Sequence, residues 1–522
     1  MDLDANACYR AILTRDRRFD GRLFIAVKTT GVYCRPICPA RTPKRANVRF
    51  YASAAAAQEA GFRPCLRCRP ETSPDLGAWR GTSNTVSRAL SLIEAGALDD
   101  GDVEKLCERL GVGERQLRRL FKQHLGASPV AVAQTRRVLL AKQLIHDTQL
   151  PMAEVALAAG FGSVRRFNET FQALFARPPG HLRRSERAEI SADAAGGLTL
   201  QLAYRPPYDW RSMLSFLALR AVPGIESVRD GTYARSVSID GKSGAIFVEH
   251  GDGAFLNVTV CFPRLASLPG IIARVRRVFD LAADPTVIGA HLAEDPSLAP
   301  LIAARPGLRM PGAWDGFELG IRAILGQQIT VVAARGLAAK MVAAHGAPLV
   351  DARANAAGIT HVFPEATRIA KANLSALGMP RARIHALQSL AQAVVDDPSI
   401  FGARRDLDEA ITALRALNGV GEWTAQYIAM RQLRETDAFP AGDVALLRAL
   451  ADASGMRPTP QKMLERAERW RPWRAYAAIH LWASLASAPS ASPGDHAASA
   501  RLKQKHDARC AAQGANRAAN DA

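Results

Sequence analysis

Four cysteines within the first seventy residues constrain the N-terminal part of the chain most strongly. They form two pairs, Cys34-x3-Cys38 and Cys65-x2-Cys68, separated by 26 residues. Each pair places two thiols within one short turn, and zinc prefers four tetrahedral ligands of this kind. Arginine and proline surround both pairs, and cationic neighbours stabilise thiolates and suit nucleic-acid phosphates. The spacing predicts one bound zinc ion, in a site that is either purely structural or chemically active.

The chain is strongly basic. Its 522 residues include 68 Lys and Arg against 49 Asp and Glu, a formal net charge of +19, and residues 1–190 alone contain 31 basic and 19 acidic side chains. This excess favours a polyanionic partner, although charge alone does not separate DNA from RNA or an acidic membrane surface. The first residues lack the pattern of a secretion signal, and no uncharged stretch could span a bilayer. We therefore expect a cytoplasmic protein with no membrane partner.

Hydrophobic periodicity divides the chain into four folded parts and a tail. We expect a small zinc domain at 1–75, an all-α domain at 84–187, an α+β domain at 198–300 and a second all-α domain at 301–487. Alternating leucines at 198–202 and a turn sequence at Asp240-Gly241 predict strands in the third part. Residues 488–522 are rich in alanine and serine, which predicts disorder. The expected fold class is multidomain and mainly α, with α+β parts.

The second part contains one pattern twice. A helix ends at Gly111, a short turn follows, and a basic helix begins; the same plan recurs around Gly160. In the second helix of each copy, arginines lie away from the apolar face, and these are Arg115, Arg118, Arg119, Arg165 and Arg166. This is the helix-turn-helix plan, in which the second helix enters the major groove of DNA. The alternative is a pair of amphipathic hairpins whose charges are only solvated.

Two motifs make the N-terminal part recognisable. The segments FIAVKTTGVYCRP at 24–36 and AGFRPC at 60–65 resemble the Ada family of adaptive-response proteins, and the similarity covers 1–187. The C-terminal end of this region, before residue 187, also resembles the AraC-type DNA-binding signature. The resemblance implies that all four cysteines bind zinc and that Cys34 accepts a methyl group from an alkylated DNA phosphate. Spacing alone does not choose Cys34 over Cys38.

The C-terminal half departs from typical Ada proteins. It lacks their Pro-Cys-His active site, so direct repair of alkylated guanine is not expected. It contains Gly419-Val420-Gly421 between two helical segments, where bare backbone can approach a phosphate. That pattern is weak by itself, and Asp443 alone would usually be a helix cap. With FPAGDVAL at 439–446, MPGAWDGFE at 310–318 and RAILGQQ at 322–328, however, 198–487 resembles the AlkA branch of helix-hairpin-helix DNA glycosylases.

This second resemblance implies roles for individual residues. The catalytic carboxylate is Asp443, the aromatic base pocket contains Trp423, Tyr427 and Trp482, and the hairpin Gly419-Val420-Gly421 contacts DNA. Either Gln327 or Gln328 enters the space that the flipped base leaves, where a leucine is common in the family. Relatives that also cut the strand carry a lysine where Trp423 stands, so a monofunctional enzyme is expected. Without the resemblance, the aromatic residues are equally well explained as core packing.

These features combine into one prediction. The chain is expected to be an alkylation-damage response protein that joins a methylphosphotriester sensor, a transcription activator and a DNA-3-methyladenine glycosylase. Its expected partners are promoter DNA, alkylated double-stranded DNA and RNA polymerase, and it is expected to be a monomer associated with the nucleoid. One alternative is a regulator with a weak or inactive glycosylase domain. Another is a glycosylase whose N-terminal half only tethers it to DNA.

Overall fold

The computed structural model has the multidomain architecture that the sequence predicts, mainly α with α+β parts. It describes residues 4–74, 84–99, 102–183, 197–402, 406–452 and 454–487, so the predicted disordered tail at 488–522 lies outside the described residues. Within this described portion, no helix combines the length and the apolar character needed to cross a membrane.

A four-stranded sheet forms the first part. Its elements are α1 (Ala5–Leu13), β1 (Phe24–Val27), β2 (Val32–Cys34), β3 (Val48–Tyr51), α2 (Ala54–Glu59) and β4 (Arg63–Pro64). The strand order is β3-β1-β2-β4, in which β2 and β4 are parallel and the other pairs antiparallel. Along β1, Ile25 belongs to one apolar cluster while Phe24 and Ala26 belong to another. Successive side chains of a strand point to opposite faces, so both faces of this small sheet are covered.

Six helices form the second part. They are α3 (Asn84–Glu94), α4 (Val103–Leu110), α5 (Glu114–Leu125), α6 (Pro129–Asp147), α7 (Met152–Ala158) and α8 (Val164–Phe175). Gly111 ends α4 in the left-handed region, with φ +64°, which glycine adopts without steric cost. In α8, Phe167, Phe171 and Phe175 are buried at four-residue spacing. One face of each second helix therefore packs inward and leaves its arginines outside.

A five-stranded antiparallel sheet with two helices forms the third part. Its elements are β5 (Leu198–Ala203), α9 (Trp210–Arg220), β6 (Glu226–Arg229), β7 (Thr232–Ile239), β8 (Lys242–His250), β9 (Phe255–Cys261) and α10 (Leu268–Val278). The strand order is β5-β9-β8-β7-β6. Leu198, Leu200 and Leu202 face the core, as their alternation predicts, and Asp240-Gly241 forms the turn between β7 and β8.

Twelve helices make up the last part within the described residues. They are α11 (Pro285–Leu292), α12 (Ala299–Ala304), α13 (Gly316–Leu325), α14 (Val331–His345), α15 (Ala352–Ala356), α16 (Ala366–Lys371), α17 (Arg381–Asp396), α18 (Leu407–Arg415), α19 (Glu422–Arg431), α20 (Val444–Ala449), α21 (Pro460–Ala467) and α22 (Arg474–Ser487). Two hydrophobic cores hold them together, and α18 and α19 form an antiparallel hairpin around Gly419.

One hydrophobic core is shared between the two halves of the chain. Leu144 of α6 belongs to the same buried cluster as Leu200 of β5 and Ile271 of α10. The side-chain amide of Gln143 also donates to the backbone oxygen of Gln201 at 2.9 Å. Each fully buried Leu or Ile stabilises such a contact by about 1.5–3 kcal/mol. The helix-turn-helix domain and the α+β domain are therefore packed against each other.

Candidate active sites

The strand register brings the four cysteines together. Because β2 and β4 are parallel, with Tyr33 opposite Pro64, Cys34 and Cys65 leave the sheet side by side. With the second cysteine of each pair they form a group whose four sulfur atoms all lie within 4.8 Å of one another. Zinc–sulfur bonds of about 2.3 Å in a tetrahedron place sulfur atoms roughly 3.8 Å apart, so the group fits a single zinc ion.

The four sulfur atoms differ in their hydrogen bonds. Three accept a backbone N–H: Cys38 from Ala40, Cys65 from Arg67 at 3.4 Å, and Cys68 from Arg35 at 3.3 Å. Among the described residues, no backbone N–H donates to Sγ of Cys34. Donors disperse the negative charge of a thiolate, so the Cys34 sulfur keeps the most electron density. Cys34 is also half-buried, whereas Cys65 and Cys68 are buried.

The arginine that follows Cys34 is held in place. Its Nε donates to Asp20 Oδ1 at 2.8 Å, and its Nη1 donates to Thr72 Oγ1 at 2.7 Å and to the backbone oxygen of Cys68 at 3.3 Å. The ion pair between Arg35 and Asp20 is largely buried. The guanidinium group of Arg35, paired with Asp20, thus links the loops on both sides of the thiolate cluster.

A buried lysine joins the cysteine module to the helix-turn-helix domain. Lys142 on α6 donates from Nζ to the backbone oxygen of Cys65 at 3.0 Å and to Glu71 Oε2 at 2.5 Å. Burial lowers the pKa of Lys142, and the Glu71 carboxylate opposes that shift. Arg69 continues the network to Asp147 at the end of α6, at 2.7 Å. The metal-site backbone is therefore tied to the helix between the two repeats.

The predicted DNA-reading arginines all lie on the outer faces of the two second helices. Arg115, Arg118 and Arg119 are exposed on α5, and Arg165 and Arg166 are exposed on α8. Arg118 and Arg165 each pair with a glutamate one turn away on the same helix. Exposed pairs of this kind contribute only about 0.3–0.5 kcal/mol, so a phosphate can replace the glutamate.

The helix hairpin depends on one close approach. Gly419 has φ +79°, and a Cβ there would lie 2.4 Å from Cβ of Ala386. The Val420 side chain is buried in the core, and the backbone N–H of Val420 donates to the backbone oxygen of Leu417. Gly421 begins α19 without a side-chain cap. The first N–H groups of α19 are therefore available to an anion such as a phosphate.

Asp443 begins α20, and its carboxylate accepts three N–H groups. Oδ1 accepts from the backbone of Leu446 at 2.9 Å and from Nε1 of Trp482 at 3.0 Å, and Oδ2 accepts from Nε1 of Trp423 at 2.7 Å. The residue is thus a helix cap and also the acceptor of two indole donors. Donors on both oxygens fix the orientation of the carboxylate.

The predicted pocket residues form one aromatic cluster around this carboxylate. Trp423 and Tyr427 are stacked, with ring centroids 5.0 Å apart and planes 11° apart, and Trp482 meets Tyr427 at 6.4 Å and 62°. All three rings are half-buried. Their faces can contact a flat ligand, and a cation over such a face gains about 0.5–2 kcal/mol.

Two arginines and a phenylalanine behind Tyr427 were not identified from the sequence. Arg431 donates from Nη1 to the Tyr427 hydroxyl at 2.6 Å, and its guanidinium carbon lies 5.0 Å from the centre of the Phe216 ring. Arg220 lies 3.8 Å from the same ring. Burial raises the pKa of Tyr427, but the two guanidinium groups outweigh it and hold that pKa below its ordinary value. Helical spacing could have suggested Arg431, whereas Phe216 and Arg220 come from another domain.

The two candidate wedge residues have different surroundings. Gln327 donates from its amide to the backbone oxygen of Gly419 at 2.9 Å and to Thr424 Oγ1 at 3.3 Å, so it holds the hairpin. Gln328 is exposed at the start of the loop between α13 and α14, with φ +60°. A non-glycine residue in this left-handed region costs of the order of 1 kcal/mol and is enriched at functional sites. Gln328 is thus the glutamine that is free to contact a DNA duplex.

Four family models match the chain, one for each part of the fold. They are the metal binding domain of Ada at 7–71, a helix-turn-helix domain at 106–185, the AlkA N-terminal domain at 199–315, and the HhH-GPD superfamily base excision DNA repair protein at 321–475. The last match includes the hairpin and Asp443 but ends before Trp482.

Similarity to a relative of the same length decides the family. The probable bifunctional transcriptional activator/DNA repair enzyme AlkA of Mycobacterium tuberculosis (strain ATCC 25618 / H37Rv) is 40% identical, over 92% of this chain and 97% of its own length. The chain belongs to this AlkA family of bifunctional transcriptional activators and DNA repair enzymes. Both predicted resemblances are thereby confirmed.

Two further relatives match the separate halves of this AlkA family member. DNA-3-methyladenine glycosylase 2 of Escherichia coli (strain K12) is 36% identical over 54% of this chain and 95% of its own length. The bifunctional transcriptional activator/DNA repair enzyme Ada of the same strain is 39% identical over 29% of this chain and 42% of its own length. The match to the metal binding domain of Ada includes all four cysteines, whose geometry fits one ion, so the predicted zinc cofactor is confirmed.

Proposed function

We propose that the chain senses alkylated DNA through Cys34, activates transcription through its helix-turn-helix domain, and excises alkylated bases through Asp443. The observation that carries the enzymatic part is the carboxylate of Asp443 held by Trp423 and Trp482 at the edge of an aromatic cluster. Release of methylated bases from methylated duplex DNA by the purified protein tests it. A protein that binds this DNA but releases no base would be only a regulator.

Methyl transfer to Cys34 is a single displacement. The Cys34 thiolate attacks the methyl carbon of a DNA methylphosphotriester, a sulfur–carbon bond forms, and the carbon–oxygen bond breaks as the phosphodiester leaves as an anion. When bound, zinc keeps the four sulfur atoms deprotonated at neutral pH. Arg35 holds the backbone next to Cys34 in place through its bonds to Asp20, Thr72 and Cys68. The thioether product is stable, so each molecule accepts one methyl group.

Methylation changes the charge that this module presents to DNA. An anionic thiolate becomes a neutral thioether, so the cluster loses one negative charge and repels phosphates less. The network from Cys65 through Lys142 to α6 connects the same module to the helix-turn-helix domain. We propose that methylated Cys34 strengthens promoter binding, and that RNA polymerase is the partner recruited there. The chain would act as a monomer on nucleoid DNA in the cytoplasm.

Base excision uses the C-terminal half. The flipped base enters the aromatic cluster, where a purine made cationic by alkylation is attracted to the ring faces. The bond between the sugar C1′ and the base nitrogen breaks, the base leaves with the bonding electrons, and positive charge develops on the sugar. The Asp443 carboxylate stabilises that charge. Water then supplies the oxygen bonded to C1′, and its proton passes to the carboxylate or to solvent.

The two indole donors should matter for this chemistry. Replacing Trp423 or Trp482 by phenylalanine keeps an aromatic ring but removes one hydrogen bond to Asp443. Hydrogen bonds to charged groups contribute about 1.5–3 kcal/mol, so each variant should excise bases roughly 10–100-fold more slowly. Single-turnover excision rates at saturating enzyme measure this effect. Phe363→Leu, in a contact with Phe317 in the other hydrophobic core of this half, is a control for general loss of packing.

The chain should leave abasic sites uncut. Trp423 occupies the position where strand-cutting relatives carry a lysine, so no amine is placed to form a Schiff base with the sugar. Borohydride treatment during turnover should therefore trap no covalent protein–DNA adduct. A strand break without added base, or a trapped adduct, contradicts the monofunctional assignment.

The exposed arginines of α5 and α8 should contribute mainly through phosphates. Replacing Arg118 or Arg165 by alanine should weaken promoter binding and reduce the slope of log affinity against log salt concentration by about 1 for each lost phosphate contact. Titrations at several salt concentrations measure that slope. Arg368, exposed on α16 in the other half, serves as the control position. An unchanged slope in both variants would place the DNA contact elsewhere.

A further inference from the structure

A buried ion pair joins the two functional halves of the chain. Arg88 on α3 donates from Nε to Oε1 of Glu435 at 3.0 Å, and its Nη2 also contacts that carboxylate. Only 7% of the Arg88 side chain and 8% of the Glu435 side chain are exposed. A buried ion pair contributes little net stability, but removing one partner leaves an uncompensated buried charge. The contact therefore makes the position of each group depend on the other.

Glu435 lies on the segment that connects the aromatic pocket to the catalytic carboxylate. This segment, 432–442, starts where α19 ends and stops at Asp443. It is fastened on both sides of Glu435, by Arg434 to the backbone oxygen of Met310 at 2.8 Å and by Asp437 to Arg474 at 2.8 Å. Because the segment is held at these two points, a displacement of Glu435 would also displace the residues that lead to Asp443.

The acidic surroundings of Glu435 increase its dependence on Arg88. The carboxylates of Asp406 and Asp437 both raise the pKa of Glu435, as does burial, while Arg88 lowers it. Without the guanidinium group, this carboxylate would face two like charges in a poorly solvated place. The carboxylate would then take up a proton or draw the segment towards solvent, and either change would alter the contact between α3 and the segment.

Arg88 itself belongs to the framework of the first DNA-reading repeat. Its neighbours Ala89 and Ile93 on α3 pack in one buried cluster with Leu117 of α5, the helix that presents the first group of arginines. One helix, α3, therefore contacts both the first recognition helix and the segment that leads to the catalytic aspartate.

We propose that this interface, formed by α3 and segment 432–442, couples the two halves and makes Arg88 of the regulatory half a positioning residue for Asp443. This rests on the proposed function of Asp443 in base excision. The glycosylase half of this fused chain is then not a self-sufficient module: its catalytic segment is completed by a side chain from the DNA-reading half. At this interface Glu435 requires a cation from the neighbouring domain, and Arg88 supplies it.

A charge exchange tests the interface in the full-length, zinc-loaded protein. Arg88→Glu and Glu435→Arg are each made alone and then together, and single-turnover base excision from methylated duplex DNA is measured for each. Each single variant should lose at least about 10-fold in rate, since misplacement by about 1 Å can cost ~10²-fold. The double variant should recover most of the rate. Arg18→Glu, which breaks an exposed pair with Asp16, should excise as fast as the wild type.

The outcomes separate this proposal from the one on which it rests. Single variants no slower than Arg18→Glu, or a double variant as slow as the single ones, would overturn the positioning role. Circular dichroism identifies any variant that fails to fold, and Glu435→Gln, which keeps the shape without the charge, then gives a milder loss of rate. If the wild type excises no base, the glycosylase function fails instead. Thermal unfolding then tests the interface, because the exchange should restore a melting temperature that each single variant lowers.

Discussion

Replacing Asp443 by asparagine should reduce base excision by about 10²–10³-fold while leaving the protein folded. In the proposed mechanism the Asp443 carboxylate stabilises the developing sugar cation, and removing a preorganised electrostatic group typically costs ~10²–10³-fold in rate. Asparagine keeps the shape and still caps α20, because Asn and Asp are comparable N-cap residues. The loss should therefore appear in the rate of the chemical step.

The matched control is another aspartate that caps a helix in the same half. Asp351 accepts from the N–H of Ala354 at 2.7 Å at the start of α15, so Asp351→Asn makes the same chemical change away from the aromatic cluster. Its excision rate should equal that of the wild type. DNA binding by Asp443→Asn should stay near the wild-type value, measured with a duplex containing one alkylated base. Equal excision rates for the two variants would show that Asp443 only caps its helix.

Much of the fold was predictable because local patterns dictate it. Alternation at 198–202 specifies a half-buried strand, and the positive φ at Gly111 agrees with a glycine between two helices of a DNA-binding repeat. The cysteine spacing predicted a metal site, since each pair is local and the strand register only has to bring two pairs together. These features depend on neighbouring residues in sequence.

The remaining features depend on contacts that no local pattern contains. The proposed choice of Cys34 over Cys38 rests on which backbone N–H groups reach each sulfur, and this is a property of the folded loops. Phe216 reaches the pocket from the α+β domain, where it looks like an ordinary helix residue. The contact between Arg88 and Glu435 joins residues that are 347 positions apart in the sequence. Sequence motifs therefore identified the family and the metal site, whereas the relation between the two candidate sites needed the fold.

The two candidate sites differ in how their reacting groups are hydrogen-bonded. In the proposed methyl transfer the nucleophile is the Cys34 sulfur, to which no backbone N–H donates within the described residues. In the proposed base excision the Asp443 carboxylate stabilises positive charge, and two indole donors fix its orientation. A nucleophile needs available electrons, whereas an electrostatic stabiliser needs a fixed position. The difference in hydrogen bonding at the two sites follows from that difference in role.

Replacing Cys34 by serine should abolish methyl transfer from DNA methylphosphotriesters. Serine removes the thiolate that attacks the methyl carbon, and its hydroxyl is a far weaker nucleophile at neutral pH. Cys38→Ser removes an equivalent ligand but leaves the Cys34 sulfur, so this variant should still accept methyl groups on Cys34 when zinc is in excess. Mass spectrometry of digested protein locates the methyl group, and metal analysis gives the zinc content of both variants. Methylation found at Cys38 in the Cys34→Ser protein would contradict the selection of Cys34 by its hydrogen bonds.

Methylated wild-type protein and the variant Cys34→Ala together test whether methylation works as an electrostatic switch. Loss of one negative charge near a phosphate changes the binding free energy by about 1 kcal/mol at 4 Å in water, or roughly five-fold in Kd. Wild-type protein methylated at Cys34 should therefore bind promoter DNA about five-fold more tightly than the unmethylated protein, and the gain should shrink as salt screens the charge. Cys34→Ala with zinc bound has already lost that charge, so its affinity should be high before and after exposure to methylated DNA. If its affinity instead matches that of the unmethylated wild type, the switch depends on a change of structure rather than of charge, and the network through Lys142 becomes the route to examine.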